Sequence, residues 1–113
     1  KRVQQMNAAG IAFFESDPNG LITYCSKNAA ELAGMSPSDS LGNGWVTNVL
    51  ESDRDQTYNG WMEAIKQQRA YDVEFSFIHH DGKVVTVQAH SLPVISANKV
   101  IGYVGILEKI SEQ

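Results

Sequence analysis

Cysteine is nearly absent from this chain. The single Cys25 rules out an internal disulfide and fits a reducing compartment. Long apolar runs are missing too: none approaches the roughly 20 residues that a membrane helix requires. The start, Lys1-Arg2-Val3-Gln4-Gln5, is polar and lacks the apolar core of a signal peptide. Positive charge is in deficit, with 9 Lys and Arg against 13 Asp and Glu. A net charge of -4 disfavours nucleic-acid and membrane-surface partners, because both present negative charge. There is no Gly-x-Ser-x-Gly, no His-Glu-x-x-His, no nucleophilic Cys–His pairing and no internal repeat.

What is present is the composition of one globular domain. The 113 residues are 42% apolar and 19% charged, enough for a single core. No initiating Met is present, and both ends read as cut from a longer protein. Residues 1–9 read as a linker or the end of an amphipathic helix, with Val3 and Met6 among polar neighbours. Ile11-Ala12-Phe13-Phe14 reads as a strand. Asp17-Pro18-Asn19-Gly20 turns the chain, and Leu21 to Cys25 returns as a second strand.

Helical signals follow. Ser26 caps a helix that Gly34 stops. Ser36-Pro37-Ser38-Asp39 starts another short helix, and Trp45 to Leu50 supplies one or two further turns. Residues 52–68 form the longest helix. Its Tyr58, Trp61, Met62 and Ile65 fall at i, i+3, i+4 and i+7, an apolar stripe. The last third is β. Tyr71, Val73, Phe75 and Phe77 alternate with polar residues, Asp81-Gly82 and Asn98-Lys99 turn the chain, and Val100 to Leu107 is the fifth strand. The order predicts an α+β fold: a five-stranded antiparallel sheet with the helices packed on one face. A space between the layers can hold a ligand or be filled by side chains.

These pieces, in this order, resemble a PAS domain over about residues 10–112. The resemblance is carried by Gly10-Ile11 through Tyr24, by Ser26 through Glu31-Leu32-Ala33-Gly34-Met35-Ser36-Pro37, and by Ser52-Asp53-Arg54. It continues in Tyr71-Asp72-Val73-Glu74-Phe75, Asp81-Gly82-Lys83, Pro93-Val94 and Gly102-Tyr103-Val104-Gly105. Two positions depart. The family often has Asn where Ser26 stands, and often ends in Asp-Ile-Thr where this chain has Lys109-Ile110-Ser111. The resemblance implies a PAS-like sensory module, residues 10–108, with 109–113 as an exit linker to a covalently linked output domain. A histidine kinase or a GGDEF-type diguanylate cyclase would suit, in a bacterial-type cytoplasmic protein, and the domain itself would not be an enzyme.

Strand parity and the helical stripe give the candidate ligand-binding residues: Phe14, Ser16, Met35, Trp45, Tyr58, Trp61, Met62, Phe75, Phe77, Ser91 and Tyr103. The expected partner is an unknown small molecule. The same residues would equally build a solid core, which keeps open a ligand-free interaction module, with a homodimer through the sheet's outer face. No cofactor is expected. Flavin-binding light sensors of the family use a Cys where this chain has Trp45, although non-covalent flavin stays open. Haem-binding relatives usually supply a His from the long helix, and 52–68 contains none. Adjacent His79 and His80 point to opposite faces and read as a solvated hairpin, so no metal site is expected. Glu74 reads as a polar outer-face residue with Gln88 and His90, and where partly buried it would serve a structural hydrogen bond and not acid/base chemistry.

Overall fold

The computed structural model describes residues 10–113; residues 1–9, read above as a linker or helix end, lie outside the described residues. Five strands form one antiparallel sheet in the order β2-β1-β5-β4-β3. They are β1 (Phe13–Ser16), β2 (Ile22–Cys25), β3 (Tyr71–Ile78), β4 (Val84–Ser96) and β5 (Lys99–Glu112). Between β2 and β3 come helix α1 (Lys27–Ala33), 3-10 turns at Ser38–Ser40 and Gly44–Asn48, and helix α2 (Glu51–Gln67). The short helices expected after Ser36 and at Trp45 are thus 3-10 turns.

Local chemistry explains the joints. The Asp17 carboxylate accepts from the Asn19 and Leu21 amides, at 2.9 and 3.0 Å, and closes the first hairpin. Ser26 does more than cap α1. Its hydroxyl oxygen accepts from Ala29 N–H at 3.2 Å and from Phe13 N–H at 2.9 Å, while the hydroxyl donates to the Ile11 carbonyl at 3.2 Å. A fully buried serine therefore ties α1 to the first strand, at the position where the family often has Asn. Gly34 ends α1 at φ 76°, a left-handed conformation that costs glycine nothing. The last turn lies at Ala97 and Asn98, one residue before the expected place, with φ 50° and 65°.

The long helix is rotated from the expected stripe. Thr57, Trp61 and Ala64 are its buried residues, while Tyr58, Met62 and Ile65 lie half-buried on the shoulder. The reason is Tyr71 at the start of β3. Its ring packs where Gly60 leaves space, and its hydroxyl donates to the Thr57 carbonyl at 3.2 Å, which draws that side of the helix to the sheet. Asp53, in the first turn of α2, accepts from Ser76 N–H at 2.9 Å and fixes the helix start to β3. Ala33, Val49, Phe75, Phe77, Val85, Val87 and Ala89 form the core between the layers.

Two expectations are corrected here. β5 runs on to Glu112, through residues read as an exit linker. Lys109 pairs with Val87 and Ser111 with Thr86, while Glu112 lies 3.1 Å from Lys109 and 3.6 Å from Lys83. His79 is no solvated hairpin residue: its ring rests against Gly34, and Nε2 sits 2.8 Å from the Leu32 carbonyl. Glu74 is exposed opposite Gln88, on the outer face where its polar neighbours place it.

Candidate functional site

Register places one row of residues across the whole sheet. Cys25 pairs with Phe14, Phe14 with Gly105, Gly105 with Ser91 and Ser91 with Tyr71. The row two residues away holds Val73, Ala89 and Leu107. Alternation turns both rows toward the helices. Gly105 has no side chain, and the Phe14 ring occupies the place where a Cβ would stand. Above the rows lie Ala29 and Ala33 of α1, Trp45 of the second 3-10 turn, and Thr57 and Trp61 of α2. Together they line a cavity of about 70 Å³.

Of the predicted residues, Phe14, Trp45, Trp61, Phe75, Phe77 and Ser91 line this cavity. The other five do not. Tyr103 lies behind Trp61, edge-on at 5.6 Å, and donates its hydroxyl to the Ile65 carbonyl at 3.3 Å. Ser16 is opposite Tyr103 in that same outlying row and donates to the Asp17 carbonyl at 3.0 Å. Met35 packs against the core cluster without lining the cavity. Met62 follows the rotation of α2 away from the space, and Tyr58 faces an outer groove with Asn43, Val46, Thr47 and Arg54.

The cavity also uses Ile22, Cys25, Ala29, Ala33, Ser40, Thr57 and Tyr71, which the site prediction left out. Tyr71 was within reach of sequence reasoning, since it shares parity with Val73, Phe75 and Phe77. Cys25 was not, because its place depends on pairing opposite Phe14.

Aromatic rings wall the site on two sides. Phe14 meets Trp61 edge-on at 6.2 Å, and Trp45 leans on Phe75 at 6.2 Å. The Ser91 and Tyr71 hydroxyls are occupied elsewhere: Ser91 donates to the Tyr71 carbonyl at 3.3 Å and Tyr71 to that of Thr57. Trp61 Nε1 donates to the Gly20 carbonyl at 3.0 Å. Trp45 Nε1 is buried and has no hydrogen-bond partner. Burial pushes the Cys25 thiol up from its ordinary value, a pull that the Ser40 hydroxyl only partly offsets, so the sulfur stays a neutral thiol. Burial likewise raises the Tyr71 phenol, against the lowering effect of Arg69. Among the described residues no group of three or more His, Cys, Asp or Glu could hold a metal ion.

A family model described as the PAS fold matches residues 22–107. The chain belongs to the PAS family. As such it is a sensory module. No curated protein matches it. Its fold is shared with solved structures of low identity. The PAS domain of a protein from Colwellia psychrerythraea is 21% identical with TM-score 0.75, over 96% of this chain and 93% of that one. A light-oxygen-voltage domain studied with a flavin analogue is 20% identical with TM-score 0.78, over 97% and 84%. The N-terminal domain of a diguanylate cyclase with a PAS/PAC sensor, from Marinobacter aquaeolei, is 14% identical with TM-score 0.76, over 87% and 93%.

The residues of this PAS domain do not fit a flavin. About 70 Å³ is far below the several hundred that a ligand of that size occupies. The Ser91, Tyr71 and Trp61 donors that could address a flavin edge are turned to backbone carbonyls. No histidine lines the space that a haem would need to enter. No helix among the described residues is long and apolar enough to cross a membrane.

Proposed function

We propose that this PAS domain senses a small molecule held between its sheet and its helices, and passes the change to a covalently linked output domain. The observation that carries this reading is the cavity itself. Its wall draws on β1, β2, β3, β4 and β5 as well as on α1, α2 and both 3-10 turns, so a ligand inside bears on every layer at once. Leu107 touches the cavity, and the same strand continues to Glu112. A ligand with different affinity for two positions of that strand would shift their populations. The output domain is a histidine kinase or a GGDEF-type diguanylate cyclase, the latter supported by the cyclase relative of the same fold. The host is bacterial and the domain sits in the cytoplasm, which the single thiol and the acidic surface suit. The sensory domain catalyses nothing itself.

Visible absorbance of the purified chain, followed by mass spectrometry of the supernatant after denaturation, tests this. A released small molecule in a colourless sample supports ligand sensing. A flavin or haem band would overturn the chemistry proposed for the site.

A second reading has its own observation. On the face away from the helices, Leu92 is 61% exposed and lies near the exposed Val94 and Ile106. Such a patch suits a ligand-free module that forms homodimers. Its polar neighbours His90, Asp72 and Glu108 limit its area. Sedimentation of the chain and of its Leu92→Glu variant separates the readings. A dimer that the variant abolishes favours the interaction module.

A further inference from the structure

The cavity is bounded by several residues that carry polar atoms, yet its surface is apolar throughout. The geometry gives the reason. Ser91, Tyr71 and Trp61 each donate to a backbone carbonyl. Ser40 donates to the Ser36 carbonyl at 3.2 Å, and the Cys25 sulfur lies 3.6 Å from the Ser26 carbonyl. These side chains turn their hydrogens into the protein and their carbon or sulfur toward the space. No charged side chain lines it. The one lining indole donor without a partner, Trp45 Nε1, is itself buried and does not open on the space, so a polar ligand placed there would leave its water shell for little in return, which is unfavourable. An apolar ligand would lose nothing it had in water and gain contacts with the aromatic walls.

We infer that the ligand of this site is a small uncharged apolar molecule, or the apolar end of one. This rests on the reading of the cavity as a sensory site and adds the class of molecule sensed. Size narrows it further. The volume of about 70 Å³ is about half of the ~150 Å³ apolar cavity that stays dry and takes up benzene or xenon. It therefore holds an apolar gas or a short hydrocarbon chain.

Xenon and isobutane are the probes, with acetate and acetamide as polar molecules of similar size. Carbon-13 methyl spectra of the chain report on Ala33, Ala89 and Leu107 in the wall. Saturable shifts of these methyls with xenon and isobutane are expected. Acetate and acetamide should bind at least about ten-fold more weakly, because no polar atom of the wall opens on the space. Ala89→Leu, which fills the space, should abolish the shifts. Leu107→Ala, which enlarges it, should admit benzene and keeps the test open should the first variant fail to fold. Saturable shifts with acetate or acetamide at equal or lower concentration would overturn the apolar class while leaving a sensory cavity in place. Methyls that respond to no probe, in the wild type or in Leu107→Ala, would make the space ordinary core and remove both readings.

Discussion

Trp61 donates its indole hydrogen to the carbonyl of Gly20, 41 residues earlier, at 3.0 Å. The bond fastens the middle of α2 to the first hairpin turn. Gly20 sits at φ 86°, and a Cβ there would lie 2.9 Å from Ile65 Cγ1 and 3.1 Å from the indole nitrogen. Both residues of the pair are therefore constrained. Trp61→Phe leaves the buried Gly20 carbonyl without its donor and should cost about 1–3 kcal/mol. Gly20→Ala adds a crowded methyl in a left-handed conformation and should also destabilise. Urea unfolding of each variant measures this, and a midpoint unchanged in Trp61→Phe would show that the bond contributes nothing.

Trp45 makes the opposite case. Its Nε1 is buried with no partner, so it bears the desolvation cost without the bond. Trp45→Phe removes that orphan while keeping a ring against Phe75. It should cost less than Trp61→Phe, although both delete the same atoms. The two unfolding curves, run side by side, decide the order. A larger loss in Trp45→Phe would mean that its nitrogen is bonded in solution.

Ser26 carries three hydrogen bonds at full burial. Ser26→Ala removes a helix cap and strands the Phe13 amide, so the loss should reach about 2 kcal/mol, the upper end for a capping residue. Ser26→Asn, the residue common in the family, should recover part of it. Thermal unfolding of both variants tests the node. Equal losses in the two would show that packing, not hydrogen bonding, selects the serine.

On the outer face, His90 bridges three strands, with Nδ1 2.8 Å from Asp72 and Nε2 3.0 Å from Glu108. The hydrogen bond to Asp72 is the main cause that raises its pKa; desolvation opposes it, and the hydrogen bond to Glu108 and the charges of both carboxylates add to the rise. A raised folded-state value means that the charged imidazole stabilises the fold. That contribution is complete below the unfolded value of about 6.5 and disappears as pH climbs through the folded one. The melting temperature of the wild type, compared with His90→Gln, should thus show its advantage at pH 5.5–6 and lose it by about pH 8. An advantage that grows with pH would contradict the bridge.

How much of this could be read from the sequence follows from the range of each interaction. Asp17 through Gly20, the Ser26 and Gly34 caps of α1, and the Asp81-Gly82 turn are set by near neighbours, and the sequence placed them. Alternation likewise turned Phe75, Phe77 and Ser91 toward the helices. Errors arose where a distant partner decides. Tyr71 draws α2 round so that Thr57, not Tyr58, meets the sheet. Trp61 stands between Tyr103 and the cavity, which parity along β5 cannot reveal. His79 reaches a carbonyl 47 residues away. Polar composition hid the end of β5, because Lys109, Ser111 and Glu112 pair through their backbones and leave their side chains in water.

Ala29 and Ala33 approach the cavity from the helix, and Ala89 approaches it from the sheet. Their methyl groups take no part in a hinge, a cap or a turn. Each behaves as a set-screw: one added methylene narrows the chamber, while the hydrogen bonds that frame it lie elsewhere. On the proposed reading, the same scaffold could thus be retuned among molecules of graded length by single substitutions, and a change of signal would leave the proposed route along β5 untouched.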